Sequence, residues 1–398
     1  MTRTILTNAV IDPAAGPTDI TIEDGRIAAI GPASGTAQVA DVEDVGGALV
    51  VPGFVDGHNH ADKSMWGQPW SRRTSQPITM DQMFEDTLHQ WANETAQVGE
   101  RAGIFLRKCI AYGSTSIRAF ADVAPEIGLS GVEAMLALRE ELADAADLTV
   151  VAFPQLGVLR KPGTQELLEE ALKAGADWIG GLDPAGVDGD ALAQLDILFR
   201  LAEKYQVSID IHMHEDGELG FWLIRQIADR VKAHGMQGKV GLCDVFCITD
   251  PTESELDTIA GVLAEADISV AVGVHGLLPV PDVQRLHSLG VRMCMGSDSA
   301  RSQWSPWGEG DMLMRAMMMS YKRYWRRDED LEFALRLTTD LGRTGLSLPP
   351  AGLTVGSPAD LVVVGGEALA EIVVQPPATR ALVLKAGKVV ARNGEFLG

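Results

Sequence analysis

Short apolar runs alternate with segments of helical periodicity along the middle of the chain. Eight of these runs predict β-strands, and they read FVDGHNH, STSIRAF, LTVVAFP, DWIGGL, VSIDIHMHE, KVGLCDVF, ISVAVGVH and VRMCMGSD. Many of the segments between them carry apolar residues at positions i, i+3 and i+4, which is typical of amphipathic helices packed on a core. Eight strand-then-helix units predict an α/β fold, a (β/α)₈ TIM barrel, over residues 51–349.

The two ends of the chain lack this alternation. Residues 1–50 and 350–398 consist of short β-like runs separated by turns, for example TILTNAVID near the start and PADLVVVGG near the end. Because both flanks have this character and bracket the barrel, we expect them to form one small composite β-sandwich domain beside it.

Composition narrows the possible partners and the cellular setting. The chain has 398 residues and a formal net charge of −22. This charge argues against nucleic acids and anionic membranes as partners, because both are bound by basic surfaces. The four cysteines show no paired spacing, and no apolar run reaches the length of a membrane span or resembles a signal peptide. We therefore expect a reduced, cytoplasmic protein.

Polar residues cluster at the predicted strand ends, where barrels of this type carry their chemistry. They are His58, His60, Gln155, Asp183, His212, His214, Glu215, Asp244, His275 and Asp298. His58 and His60 are two residues apart, so both side chains would leave the first strand on the same face. Together with His212 and Asp298 they would offer nitrogen and oxygen ligands, which is the composition of a catalytic rather than a structural metal site.

Several candidate residues also have a purely structural or alternative interpretation when each is taken alone. The aspartate of the sequence GSD could cap a helix after the last strand. Cys243 and Cys247 fit buried small hydrophobes better than thiolate ligands. Lys63 could be a carbamylated bridge between two metals, or it could pair with Asp62 or Asp56. The joint occurrence of the histidines and Asp298 at three strand ends favours a metal site over isolated structural roles.

These segments resemble the amidohydrolase superfamily, in the group of bacterial cytosine deaminase and N-isopropylammelide isopropylaminohydrolase. The resemblance rests on PGFVDGHNHADKS, VAFPQLG, IDIHMHE, GSDSARSQWSPWGEGDM and GSPADLVVV, and it extends over essentially the whole chain. It implies one divalent metal ion, Zn²⁺ or Fe²⁺, held by His58, His60, His212 and Asp298. It further implies hydrolysis of a C–N bond by activated water, with Glu215 as the proton shuttle and Asp298 assisting.

The resemblance also indicates residues that contact the substrate and positions that depart from the family pattern. Gln155 would touch the heterocycle, and Trp304 would form part of the pocket wall. Ser299 stands where the cytosine deaminases carry an aspartate that meets the ring, so cytosine is expected to be a poor substrate. Asp244 and Phe120 stand where the family has histidines on the sixth and second strands.

Asp244 leaves several interpretations open. It could approach the metal, donate a hydrogen bond in its protonated form, or accept one from the substrate. It could also leave the site impaired. The predicted function is therefore a homo-oligomeric, metal-dependent aminohydrolase acting on a small nitrogen-rich heterocycle. The alternatives are a hydrolase that opens a cyclic amide, and an impaired relative that binds its ligand without turnover.

Overall fold

The protein is described by a computed structural model that covers residues 3–32, 41–73, 76, 79–94, 96–276 and 278–398. The strands are β1 (Arg3–Ala9), β2 (Thr18–Glu23), β3 (Arg26–Ile30), β4 (Asp41–Asp44), β5 (Leu49–Pro52), β6 (Phe54–Asn59), β7 (Ser114–Asp122), β8 (Asp147–Phe153), β9 (Trp178–Leu182), β10 (Ser208–His212), β11 (Val240–Cys243), β12 (Ser269–Val272), β13 (Arg292–Met295), β14 (Leu361–Val364), β15 (Leu382–Lys385), β16 (Lys388–Arg392) and β17 (Glu395–Phe396). The α-helices are α1 (Met80–Asn93), α2 (Val98–Ala111), α3 (Ser130–Glu141), α4 (Thr164–Ala174), α5 (Ala191–Tyr205), α6 (Gly217–His234), α7 (Glu253–Glu265), α8 (Val283–Ser288), α9 (Met312–Arg323), α10 (Asp328–Leu337), α11 (Asp340–Gly345) and α12 (Leu369–Val374).

Strands β6 to β13 form one parallel sheet in which each strand is hydrogen-bonded to its neighbours in the sequence. The last strand returns to the first through a bridge between Asn59 and Asp298. Helices connect consecutive strands, so the sheet is the predicted (β/α)₈ barrel, and the predicted fold class is confirmed. No helix in the described part of the chain is both long enough and apolar enough to cross a membrane.

Helix α5 illustrates how the sequence pattern produces the outer layer of the barrel. Asp190 begins the helix by accepting a hydrogen bond from the backbone N–H of Ala193, which satisfies one of the free donors of the first turn. Leu195, Leu198 and Ala202 follow at helical spacing and are buried against the sheet. The same amphipathic arrangement recurs in the other helices that contribute to the large apolar core.

The two ends of the chain meet in two sheets beside the barrel. One has the strand order β3-β2-β1-β4, and the other has the order β17-β16-β15-β14-β5. Strand β5 pairs antiparallel with β14, with Pro52 opposite Leu361, so N-terminal and C-terminal segments share one sheet. Apolar side chains from both sheets form a common core that includes Leu6, Ile20, Ile22, Val50, Leu361, Leu382 and Leu384. The division of the chain into domains at residues 50/51 and 349/350 stays a prediction.

Several barrel strands are shorter than the sequence pattern predicted. β10 ends at His212, so His214 and Glu215 lie in the loop that follows it. β11 ends at Cys243, which places Asp244 outside the strand. The strict alternation of side chains between two faces therefore stops before these residues. Their directions depend on loop conformation instead.

Candidate metal centre and adjoining cavity

Three histidine side chains converge at the C-terminal face of the barrel. The Nε2 atoms of His58 and His60 are 3.0 Å apart, and each lies 3.1 Å from Nε2 of His212. All three residues are only 2–3% exposed. The ring of Phe120 packs against all three imidazoles, with centroid distances of 4.8–5.1 Å. The structure thus brings together three predicted ligands that lie on two distant strands.

The donor set fits a divalent metal ion. A tetrahedral ion with nitrogens at about 2.0–2.1 Å would hold those nitrogens about 3.3 Å apart, close to the spacing found here. Burial, reinforced by nearby cationic groups such as Lys63, holds the pKa of His60 well below its usual value. Burial and the neighbouring His58 do the same for the pKa of His212. Both rings are therefore neutral at pH 7, which is the form that binds metal.

Asp298 lies beside this triangle of nitrogens. Its backbone N–H donates to the carbonyl of His58 at 2.8 Å, and its carbonyl accepts from the N–H of His60 at 2.6 Å. These bonds attach the residue to the end of β6. Its carboxylate oxygen Oδ1 is 3.9 Å from Nε2 of His58. The fourth predicted ligand is thus adjacent to the histidines, although its oxygen lies farther from them than they lie from one another.

Three aspartates at strand ends share an uncommon backbone conformation. Asp183, Asp244 and Asp298 follow β9, β11 and β13 with φ angles of 35°, 52° and 61°. Positive φ is unfavourable for residues with a side chain, although aspartate tolerates it better than most. Such strained residues concentrate at functional sites, where neighbouring structure holds them in place. Nothing in the sequence pattern marked these three positions as left-handed.

A cavity of about 280 Å³ opens beside the histidines. The predicted substrate-binding residues Gln155, Ser299 and Trp304 all line it. The indole Nε1 of Trp304 donates to the hydroxyl of Thr87 at 2.9 Å, and the Ser299 hydroxyl lies 2.7 Å from that of Ser302. The structure therefore gathers these three side chains around one space, and all three have hydrogen-bond partners in the protein, Gln155 with Lys63.

Lys63 lines the cavity and contacts a histidine of the candidate metal centre. Its Nζ donates to Oε1 of Gln155, lies 3.0 Å from Nδ1 of His60, and lies 3.3 Å from Oδ1 of Asp122. The sequence had left Asp62 or Asp56 as possible partners, but the salt bridge of Lys63 is formed with Asp122 on the neighbouring strand β7. The sequence separation between the two partners gave no sign of this contact.

Glu215, the predicted proton shuttle, is held by the loop between β9 and α5. Its Oε1 accepts hydrogen bonds from the backbone N–H groups of Ala185 at 2.9 Å and Gly186 at 3.1 Å. Its Oε2 is buried without a hydrogen-bond partner among the described residues. Burial and the charge of Asp183 raise the pKa of Glu215 above its usual value. Glu215 is absent from the described side chains that line the cavity.

Asp244 is surrounded by imidazoles. Its Oδ1 is 2.8 Å from Nε2 of His275 and 3.8 Å from Nδ1 of His58, and its Oδ2 is 3.6 Å from Nε2 of His214. Burial alone would raise the pKa of Asp244, but these neighbours outweigh it and hold the pKa well below its usual value. The lowered pKa favours the ionised form of Asp244, which accepts hydrogen bonds, over the protonated donor. The carboxylate also faces Nδ1 of His58 rather than the Nε2 atoms that converge.

His214 and Asp183 extend this arrangement. Nδ1 of His214 is 2.9 Å from Oδ2 of Asp183, and its backbone N–H donates to Oδ1 of the same residue at 2.7 Å. Burial opposes the charged ring, but Asp183 and Asp244 raise the pKa of His214 to about 10. Sequence reasoning had placed His214, Asp183 and His275 at strand ends without giving them roles. Only their positions at strand ends hinted at a shared site.

A barrel that joins imidazoles from its first and fifth strands to a carboxylate from its eighth has the architecture of a metallohydrolase. The chain belongs to the amidohydrolase family, because a sequence profile with that description matches residues 70–391. It is 30% identical over 393 residues to an N-isopropylammelide isopropyl amidohydrolase from Pseudomonas sp. (strain ADP), covering 98% of this chain and 97% of the relative.

Two further comparisons agree with this assignment. A pterin deaminase from Rhizobium rhizogenes (strain K84 / ATCC BAA-868) is 29% identical, over 94% of this chain and 88% of that protein. The crystal structure of N-isopropylammelide isopropylaminohydrolase from Burkholderia multivorans ATCC 17616 matches with a TM-score of 0.95 and 38% identity. That match covers 100% of both chains, so the similarity includes the terminal sheets as well as the barrel.

Proposed function

We propose that this protein is a metal-dependent hydrolase that cleaves a C–N bond of a small nitrogen-rich heterocycle. The observation that carries the proposal is the buried triangle of Nε2 atoms from His58, His60 and His212, and we propose Asp298, which lies beside it, as the fourth ligand. Three nitrogens and one oxygen suit Zn²⁺, with Fe²⁺ as the alternative. The names of the relatives that match almost the whole chain support this reaction class.

The chain's own residues have distinct parts in the proposed reaction. A divalent ion, when bound, would lower the pKa of a water molecule toward about 7 and so make a nucleophile available at neutral pH. Asp298, beside Nε2 of His58 and lining the cavity, can accept a proton from that water. Gln155, Ser299 and Trp304 would contact the ring from the other cavity walls.

Glu215 is proposed to carry the proton to the departing nitrogen. Two backbone N–H groups fix one of its oxygens, which leaves the buried, unpartnered Oε2 to take up and release a proton. A carboxyl group with a raised pKa is suited to this work, because its protonated form is populated closer to neutral pH.

The size of the cavity favours a substrate with a single ring. Ligand pockets usually measure about 300–1,000 Å³, so a cavity of about 280 Å³ lies at the small end. Ser299 is uncharged, and its hydroxyl already contacts that of Ser302. It is therefore a weak partner for a protonated ring nitrogen, and cytosine should be turned over poorly.

A substrate screen tests the proposed function. Protein loaded with Zn²⁺, and separately with Fe²⁺ without oxygen, is incubated with triazines including N-isopropylammelide, with pterins, with pyrimidines and with cyclic amides. Release of ammonia or an amine marks the proposed reaction, whereas a product heavier by one water without amine release marks ring opening. We expect metal-dependent release from at least one ring, and its loss in His58→Ala and His212→Ala.

A control variant and a contradicting outcome complete the screen. His89 is exposed on helix α1, so His89→Ala should keep both metal and turnover. If the folded, metal-loaded protein turns over no compound of the panel, the proposed reaction is wrong.

A further inference from the structure

Acidic and imidazole groups alternate along one side of the barrel mouth. Asp183, His214, Asp244 and His275 follow β9, β10, β11 and β12 in turn. The distances between successive partners are 2.9, 3.6 and 2.8 Å. Three of the four, His214, Asp244 and His275, line the cavity beside the metal-site histidines. This row of side chains has no part in the proton transfers proposed above.

Among the four side chains of this row, His275 has a ring nitrogen, Nδ1, without a hydrogen-bond partner among the described residues. Its side chain is 25% exposed, whereas that of Asp244 is 6% exposed. Nε2 of His275 lies 2.8 Å from Oδ1 of Asp244, within salt-bridge distance, and neither atom has an aligned hydrogen-bond partner among the described residues. One edge of the ring therefore faces the carboxylate, and the residue as a whole lines the cavity.

The surrounding backbone is built to hold this ring. A Cβ atom at Gly273 would overlap the imidazole of His275, so glycine provides the space in which the ring lies. The Phe246 ring lies between two members of the row, with centroids 4.8 Å from His214 and 6.0 Å from His275. Nζ of Lys322, on α9, donates to the carbonyl of Leu278 at 2.6 Å and so attaches the loop after β12 to a barrel helix.

Charge strengthens the hydrogen-bonding capacity of His275. Burial alone would lower the pKa of His275, but the negative charge of Asp244 raises it above its usual value. A protonated imidazole donates from both ring nitrogens. The Asp244 carboxylate, 2.8 Å from Nε2, attracts that edge of the charged ring and so favours one orientation of it.

We propose that His275, positioned by Asp244, is a substrate-binding residue that donates a hydrogen bond from Nδ1 to a ring nitrogen or carbonyl oxygen of the heterocycle. The inference rests on the proposed function for the identity of the ligand, and it narrows the substrate class to rings with an acceptor atom on this side. In this role Asp244 is a positioning residue, because it acts on the ligand through His275.

Three substitutions separate this contact from general damage to the site. His275→Ala removes the donor, Asp244→Asn keeps the shape but removes the charge, and Gly273→Ala displaces the ring without removing a polar group. Zinc content and thermal unfolding are measured for each, with His89→Ala as the control. Zinc should stay bound in all of them, since none alters the three converging histidines.

Binding is measured by calorimetry with N-isopropylammelide, 5-fluorocytosine and the best substrate of the screen. His275→Ala and Gly273→Ala should each weaken binding about 10- to 100-fold, the loss expected for a hydrogen bond from a charged group. Asp244→Asn should lower turnover more than it raises KM, because a misdirected ring still occupies the cavity. Equal binding by wild type and His275→Ala would overturn the proposal.

A spectroscopic measurement keeps this test independent of turnover. The ring ¹⁵N signals of His275 are identified in a histidine-labelled, zinc-loaded sample as those missing from His275→Ala. They should shift when the ligand is added. A shift without turnover of any compound would support the contact and refute the proposed reaction. Turnover without a shift, or no binding of any probe, would refute the contact.

Discussion

Asp244 holds a negative charge within 4 Å of the imidazoles of His58, His214 and His275. Its Oδ1 lies 2.8 Å from Nε2 of His275, and its removal would leave that buried nitrogen without its charge partner. A buried group that loses its partner in this way is costly, and its orientation is no longer defined.

Replacing Asp244 by histidine should therefore lower activity. The new imidazole would face His214 and His275 in place of a carboxylate. Protonated rings at these positions would repel one another. We expect turnover of the best substrate to fall while zinc content stays unchanged, as measured by steady-state kinetics and elemental analysis. A large gain in turnover would instead show that the aspartate limits the enzyme.

The Glu215→Gln substitution tests the proton transfer directly. Glutamine keeps the size of the side chain and can still accept hydrogen bonds from Ala185 and Gly186, but it cannot carry a proton. Turnover should fall about 100-fold or more with metal content retained. Glu218, exposed in the first turn of α6, offers a matched control, and Glu218→Gln should remain active. Near-normal turnover of Glu215→Gln would show that Glu215 takes no part in the proton transfer.

A buried ion pair inside the barrel provides a prediction about stability. Nη1 of Arg118 is 2.5 Å from Oδ2 of Asp210, and both side chains are at most 1% exposed. Arg118→Met would leave the aspartate charged without its cation, which typically costs about 3–5 kcal/mol. Urea unfolding should show this loss. Arg200→Met, at an exposed position on α5, should change the unfolding free energy by less than about 0.5 kcal/mol.

At the scale of elements, Glu169 links two neighbouring helices. On α4, its Oε1 accepts from Nζ of Lys204 at 2.5 Å and from the hydroxyl of Tyr205 at 2.7 Å, both on α5. The Lys204 and Tyr205 hydrogen bonds lower the pKa of Glu169 to about 2. Because the folded-state pKa is below the ordinary value of 4.5, the contact stabilises the protein above pH 4.5 and is lost as pH falls toward 2.

Glu169→Gln should therefore lower the urea midpoint at pH 7 relative to wild type, and the difference should narrow below pH 4.5. Unfolding curves at pH 7, 5, 4 and 3.5 measure this trend. Glu170→Gln, one residue along on the exposed face of α4, should show no such difference at any pH. If the difference in urea midpoint between wild type and Glu169→Gln stays constant down to pH 3.5, the lowered pKa does not come from this contact.

At the scale of the whole molecule, a bound metal ion should link the two halves of the barrel and so stabilise the fold. His58 lies on β6, His60 directly follows that strand and His212 ends β10, so an ion held by all three stabilises only the folded chain. At a free concentration one hundred times the Kd, such binding adds about 2.7 kcal/mol. Chelation should lower the unfolding temperature, and it should have little effect on His212→Ala. Elemental analysis should find one ion per chain, and two ions would contradict the single site.

Location in the cytoplasm and assembly into a homo-oligomer stay predictions at this scale. Gel filtration with light scattering measures the second. The four cysteines are buried and free, as the unpaired spacing in the sequence predicted.

The sequence by itself determined the barrel, the composite sheets and the triangle of histidines. Apolar periodicity reports which face of each element is buried, and that is enough to count strands and helices. Parallel strands end at one edge, so His58, His60 and His212 had to lie near one another once the strands were known. These inferences use only the direction of the chain and the spacing of residues along it.

Only the tertiary structure decided which side chains touch beyond the strand ends. Lys63 meets Asp122, Glu215 meets the N–H groups of Ala185 and Gly186, and Asp244 meets His275. Each contact joins residues from different strand–loop units, and loop conformation sets its distance. The left-handed backbone of Asp183, Asp244 and Asp298 contributes to those conformations. Side-chain periodicity ends where the strands end, so the sequence carries no pattern from which these directions follow.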